Sequence, residues 1–249
     1  MDAHVFGCVS IEDIHAVALN RNGGVSNAPF DSLNLASYVG DDPTCVTANI
    51  EIVKDLVLAD GVSVMNAEHG NKVHVVSEPG IAPLGDGLVT SQTQLALVAL
   101  AADCVPFGLI DPVNRVIAVG HAGWRGVLAN VMQALLDAFV AKGGQLNHTQ
   151  AVIGPAICAQ CYVVPAERVE LFQDVRPEAI HTSTTLDLTS GVRSVLAAQV
   201  STVHEFSGCT YENSDLFSYR RATGEPTGRG GLVLAMSNTA ISNTAISNS

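Results

Sequence analysis

Apolar positions along the chain follow two rhythms. Nearly continuous apolar runs of strand length occur at 94–102 (QLALVALAA), 115–120 (RVIAVG) and 230–236 (GGLVLAM), and further strands are expected at 149–154 (TQAVIG) and 201–206 (STVHEF). Such runs predict strands covered on both faces, because a strand with one wet face alternates apolar with polar residues. Elsewhere the spacing is helical. Val46, Ile50, Val53 and Val57 recur after Asp42-Pro43, a cap followed by a proline suited to the first helical position, and Gly61 closes the segment. Val127, Leu128, Val131, Met132, Leu135, Leu136, Phe139 and Val140 predict one face of a single long helix running from Trp124 to Gly143 and Gly144. A further helix is expected over 191–200. Strands joined by helices and also by short turns predict an α/β (mixed α+β) fold, with packed mixed β-sheets flanked by helices. No Pro/Gly/Ser-rich linker divides the body, so residues 1–236 are expected to form a single domain. Residues 237–249 (SNTAISNTAISNS) repeat a short uncharged unit and read as a low-complexity C-terminal tail.

Composition narrows the class. Apolar residues make up 47% and charged residues 14%, which suits a packed enzyme-like body and excludes a disordered chain. A net charge of −12 argues against a nucleic-acid partner or a polybasic membrane-surface protein. The longest apolar stretch is broken by Asp103, and the N-terminal residues carry early charges, so a soluble, cytoplasmic protein is expected. Six cysteines in 249 residues are too sparse for a disulfide framework and are expected to be free thiols. Only three of the twelve cationic residues are lysines. Arg21, Arg125, Arg220, Arg221 and Arg229 lie beside glycines or in polar turns, where guanidinium groups serve either as solvated charge or as clamps for phosphate or carboxylate.

The chemistry concentrates where strands end. In 99–111 (ALAADCVPFGLID), Asp103-Cys104 interrupts an apolar run, so a strand is expected to end there at a chemical site. His121 follows the 115–120 run within GHAGWRG, and His69 precedes a Val-His-Val-Val strand. Two imidazoles and one thiolate suit zinc and leave a fourth position for water, which ionises near neutral pH on the metal. Spacings of 35 and 17 residues form no short ligand motif, so turn-capping histidines and a buried cysteine stay open as the alternative at this level. Phosphate-loop, dinucleotide-loop and nucleophile-elbow motifs are absent, as is the cytidine-deaminase signature.

Eight blocks in order, RNGGVSNAPFDSLNL, VGDDP, HGNKV, ADCVPFGLID, GHAGWRGV, GPAICAQCYVV, GCTYENSDLFSYRR and TGRGG, resemble the laccase-domain family of bacterial proteins, once described as multicopper polyphenol oxidases. The resemblance covers roughly residues 15–235, and the ADC and GHAGWRG blocks are its specific part. It implies a metal site of His69, Cys104 and His121. It also implies a zinc-dependent purine nucleoside phosphorylase acting on adenosine, inosine and methylthioadenosine, with adenosine deaminase activity. Purine nucleosides and phosphate are then the expected ligands, and both monomer and dimer are compatible. The chain departs from the family pattern at Ala67-Glu68 beside His69, where Gln-Val is usual, and at Ile50, where an arginine is usual. Cys158 and Cys161 stand in C-x-x-C spacing instead of side by side. A redox or zinc role for that pair is possible, but ordinary free thiols are the preferred reading, because only one such pair occurs and a structural zinc site takes four ligands.

Within this reading Arg125 is the first candidate for holding phosphate, because GHAGWRG leads into a helix N-terminus, with Arg21 and Arg220 behind it. Asp103 is expected to orient a ligand imidazole or to move a proton. Two rivals stay open. One is a metal-free cysteine hydrolase with Cys104 as nucleophile and His121 as base, oriented by a carboxylate. The other is a non-catalytic binding module that uses the acidic surface and the tail. Copper stays possible at the same ligands in place of zinc, with a copper polyphenol oxidase as a further alternative, but multicopper oxidase chemistry has little support, because no His-x-His pair occurs among the eight histidines.

Overall fold

The structure, a computed structural model, describes residues 3–237. The tail expected at 237–249 therefore lies, apart from Ser237, outside the described residues. The chain runs β1 (Val5–Ile11), β2 (Ile14–Leu19), α1 (Pro43–Leu56), β3 (Gly61–Asn66), β4 (Val73–Val75), β5 (Gly80–Leu84), β6 (Gly87–Thr90), β7 (Leu95–Ala101), β8 (Val105–Asp111) and β9 (Val116–Ala122). It continues through α2 (Trp124–Leu128), α3 (Val131–Ala141), β10 (Gln150–Ile153), α4 (Ala166–Glu170), β11 (Ile180–Thr182), β12 (Thr185–Leu186), α5 (Leu188–Ala197), β13 (Thr202–Glu205) and β14 (Gly230–Met236).

Two six-stranded mixed sheets result, ordered β1-β2-β14-β7-β3-β5 and β13-β10-β8-β9-β6-β4, with β11 and β12 forming a separate small pair. Side-chain alternation explains why the main strands are apolar throughout. Leu97 and Ala99 of β7 point into the layer between the sheets, where they meet Ile117 and Val119 of β9. Ala96, Val98 and Leu100 point the other way, onto a core that includes Val53 of α1 and Leu33 and Leu35. Val116 and Ala118 of β9 pack outward against Val131, Leu135 and Phe139 of α3 and Val192 and Leu196 of α5. Each sheet is thus sandwiched between the other sheet and a helical layer. Each large side chain fully buried there contributes roughly 1.5–3 kcal/mol.

The helix predicted over 124–144 is two helices. Asn130 adopts left-handed backbone (φ 56°, ψ 48°) between α2 and α3, a conformation asparagine tolerates better than most residues. The break tilts the apolar face, and Val140 lies 46% exposed instead of in the core. In α1 the expected cap is present: the Asp42 carboxylate accepts from the Thr44 amide at 2.8 Å.

The arrangement that matters for function is a repeated crossing. β5, β3 and β7 are adjacent parallel strands of the first sheet, so their C-terminal ends lie together. From each of those ends the chain passes directly into the second sheet, as β3→β4, β5→β6 and β7→β8. The three crossings carry His69, Asp86 and Cys104.

Candidate metal centre

His69, Cys104 and His121, distant in sequence, bring one ligand atom each within 4.8 Å of one another. The His69 and His121 rings meet edge to face, 4.9 Å between centroids. Burial falls from His121 through Cys104 to His69, which is exposed, so the cluster opens to solvent on the His69 side. Two backbone features aim it. His69 has φ 63° and Asp103, beside Cys104, has φ 101°, both in the region L-residues avoid unless the surroundings hold them there. Gly123 gives the space: a Cβ there would stand 2.9 Å from His69 Cδ2 and 3.1 Å from Cys104 Sγ.

The carboxylate that orders this cluster is Asp86, fully buried between Gly85 and Gly87. Its Oδ1 meets His121 Nδ1 at 2.9 Å and accepts from the His69 amide at 3.0 Å, while Oδ2 accepts from the Gly70 amide at 2.7 Å. Fixing Nδ1 leaves His121 Nε2 to face Cys104, the usual way a carboxylate orients a metal-binding imidazole. Burial works against the Asp86 charge, but His121 and the two amides hold its pKa below the ordinary carboxylate value. Burial likewise pushes the Cys104 thiol up, yet the His121 and His69 rings outweigh it and bring it down to about 6. His121 is pushed down by burial and drawn up by Cys104 and Asp86, to about 9. These directions favour a thiolate and an imidazolium around neutral pH in the absence of metal, a pair that would release the single imidazolium proton when a cation binds.

Asp103 does not take the orienting role expected of it. Its Oδ1 accepts from the Thr210 hydroxyl at 2.6 Å and its Oδ2 from the Arg220 amide at 2.6 Å, while its carbonyl accepts from the Ile157 amide. It pins the loops on which Ile157, Thr210 and Arg220 sit to the Cys104 turn. No local spacing signalled Asp86; the only sequence trace is a lone carboxylate between two glycines at the mouth of an apolar strand.

The arginines divide. The Arg125 and Arg168 guanidinium groups lie 4.4 and 4.5 Å from the Trp124 ring. Arg220 lies over Tyr162 at 5.3 Å and donates to the Val163 carbonyl. Tyr162 lies close enough to Cys104 to feel its charge: burial raises the phenol pKa, Cys104 raises it further, and Arg168 and Arg220 oppose both. On another side, packing raises the Tyr38 phenol against the pull of Arg229, with the charges of Cys104 and Asp86 adding to the rise. Arg21 is engaged elsewhere, paired with Asp31 at 3.1 Å and stacked on Phe217 at 4.7 Å. The helix that begins at Trp124 has only five residues, so its N-terminus offers a weaker field than the long helix expected from the pattern. Glu68, the unusual carboxylate beside His69, pairs with Lys72 at 3.3 Å, and Ile50 packs against the outer core of the first sheet. Arg168, Tyr38 and Tyr162 were not singled out in the sequence.

No helix among the described residues is long and apolar enough to cross a membrane. Residues 15–237 match the family model described as multi-copper polyphenol oxidoreductase laccase. A purine nucleoside phosphorylase of Streptomyces griseus is 42% identical over 218 residues, covering 83% of this chain and 89% of that protein. A purine nucleoside phosphorylase of Streptomyces coelicolor is 39% identical over 224 residues, covering 85% and 92%. Among solved structures, a Neisseria meningitidis protein superposes with a TM-score of 0.80 at 30% identity, covering 92% of this chain and 96% of its own. A family model that spans nearly the whole body, with relatives of this identity and coverage, makes the chain a member of the multi-copper polyphenol oxidoreductase laccase family.

Proposed function

We propose that the chain is a zinc-dependent purine nucleoside phosphorylase that cleaves adenosine, inosine and methylthioadenosine to free base and the 1-phosphorylated sugar. The observation that carries the proposal is the convergence of His69, Cys104 and His121 with a buried carboxylate on the inner imidazole. The names of the relatives support the reaction class. Two neutral nitrogens and a thiolate fit zinc, and copper accepts the same donors. Zinc is preferred because an oxidase needs further imidazoles nearby, and the other ligand cluster among the described residues contains no histidine. Bound there, zinc would supply a Lewis acid that polarises an oxygen ligand.

The chain's own residues account for the remainder. Phosphorolysis forms a bond from a phosphate oxygen to the ribose anomeric carbon as the bond to the purine nitrogen breaks. Arg125 and Arg168, each over the Trp124 ring, and Arg220, over the Tyr162 ring, bind the anionic nucleophile. Tyr38 and Tyr219, each more than half exposed, offer faces for the purine. The Tyr38 hydroxyl, protonated at neutral pH as phenols ordinarily are, is the proposed proton donor to the departing base. Arg21, already paired, has the weakest claim to the phosphate. Adenosine deamination replaces the 6-amino group with oxygen from water and releases ammonia, and is assigned to the same site as a side activity.

A metal-free second reading is favoured by one feature, the Cys104–His121–Asp86 chain, which resembles a nucleophile, a base and the group that orients it. Incubation with inosine and labelled phosphate separates the two. Label recovered in ribose 1-phosphate, with hypoxanthine released only when phosphate is present, is the expected result. Base release independent of phosphate, with a ribosyl adduct on Cys104, would overturn the phosphorylase reading.

A further inference from the structure

Cys158 and Cys161 are not alone in the fold. Cys209 and Glu212, about fifty residues further on, bring their ligand atoms into the same space, and one atom from each of the four residues lies within 4.8 Å of the others. Both pairs have i, i+3 spacing on a tight turn. The first turn is closed by the Cys161 and Tyr162 amides donating to the Cys158 carbonyl, the second by the Asn213 amide donating to the Cys209 carbonyl. A parallel bridge between Ala156 and Cys209 holds the two turns side by side. The amides of Cys158, Tyr211 and Glu212 are directed at the Cys209 sulfur, the first at 3.4 Å, as amides support a thiolate on a metal. Three sulfurs around a tetrahedral zinc at about 2.3 Å stand about 3.8 Å apart, so the present spread needs only a small contraction. An open depression of about 310 Å³, lined in part by Cys158, Gln160, His181 and Cys209, gives an ion a way in.

We propose that Cys158, Cys161, Cys209 and Glu212 form a second, structural zinc site, separate from the His69–Cys104–His121 centre. Binding exchanges the three thiol protons for the cation and releases them to solvent. With three sulfurs and a carboxylate the shell is closed, so this ion ties loops together and does no chemistry. Those loops bear on the first centre. Thr210 follows Cys209 and holds Asp103, Ile157 precedes Cys158 and holds the Asp103 carbonyl, and Tyr162 follows Cys161. The proposal does not depend on the reaction assigned above.

The test is zinc stoichiometry after reduction, zinc loading and exhaustive dialysis. Cys104→Ser removes the first centre and is expected to retain one zinc per chain, and the Cys104→Ser/Cys209→Ser double variant none. A zinc-free Cys104→Ser protein would overturn the proposal. Should the double variant fail to fold, the wild-type protein decides: zinc is expected to slow alkylation of Cys158, Cys161 and Cys209 at least about tenfold while leaving Cys8 and Cys45 unaffected. Equal rates with and without zinc, or a disulfide joining two of the three cysteines in protein purified without reductant, would overturn it.

Discussion

At the scale of single residues the candidate metal centre depends on how two ionisable side chains hold their protons. Cys104 carries a pKa of about 6 because two imidazoles outweigh the effect of burial. A lowered pKa means that the thiolate persists above about pH 6 and is lost below it. Alkylation of Cys104 in metal-stripped protein is therefore expected to be flat from pH 9 down to 7 and to fall as pH drops through 6. A rate that begins falling below pH 9, as for an ordinary thiol, would contradict the ion pair. Asp86 sets the His121 tautomer and is the carboxylate the sequence did not reveal. Asp86→Asn keeps the shape and removes the charge, and should weaken zinc about 10- to 100-fold in a chelator competition. An unchanged affinity would show that Asp86 serves only the fold. The difference in legibility between Asp103 and Asp86 has a physical cause. Asp103 is visible because it interrupts an apolar strand beside a ligand. Asp86 acts across 35 residues through a turn whose local sequence resembles any glycine-bounded loop.

At the scale of elements, the strands were readable because burial on both faces writes itself into every residue of a run, as in β7 and β9. Helix α1 was readable because its cap is local. The break at Asn130 was not, because the heptad-like apolar face continues through it while the backbone turns. Of the short strands, β4 was legible as the Val-His-Val-Val run after His69, whereas β5 and β6 were not. Only their end-on crossing between sheets gives them meaning, and that is a long-range property. The turn into α2 has its own requirement for a missing side chain. Gly123→Ala places a methyl against His69 and Cys104, and His69, on an exposed loop, is the residue free to move. The variant should lose zinc affinity by more than about tenfold while its melting temperature changes by only a few degrees, since the strain falls on the loop and not on the core. Isothermal titration and thermal melting on the same sample distinguish this from general unfolding, in which both would collapse together.

At the scale of the whole molecule, the fold collects its chemistry at one end of a two-sheet sandwich. Three neighbouring parallel strands end together, and each hands the chain to the opposite sheet, which is why His69, Asp86 and Cys104 converge from three separate crossings. β14 runs antiparallel to β7, so Arg229, just before it, lies at that same end. A chain of net charge −12 thus sets a group of arginines where an anion would be needed, against its overall field. The proposed phosphorolysis requires an ion on His69, Cys104 and His121. Zinc content and phosphate-dependent inosine cleavage, read together on wild-type protein, chelator-stripped protein and Cys104→Ser, test this. Activity is expected to be lost on stripping and restored by zinc, with Cys104→Ser inactive under both conditions. Full phosphorolysis by Cys104→Ser, or by protein stripped of metal, would contradict it.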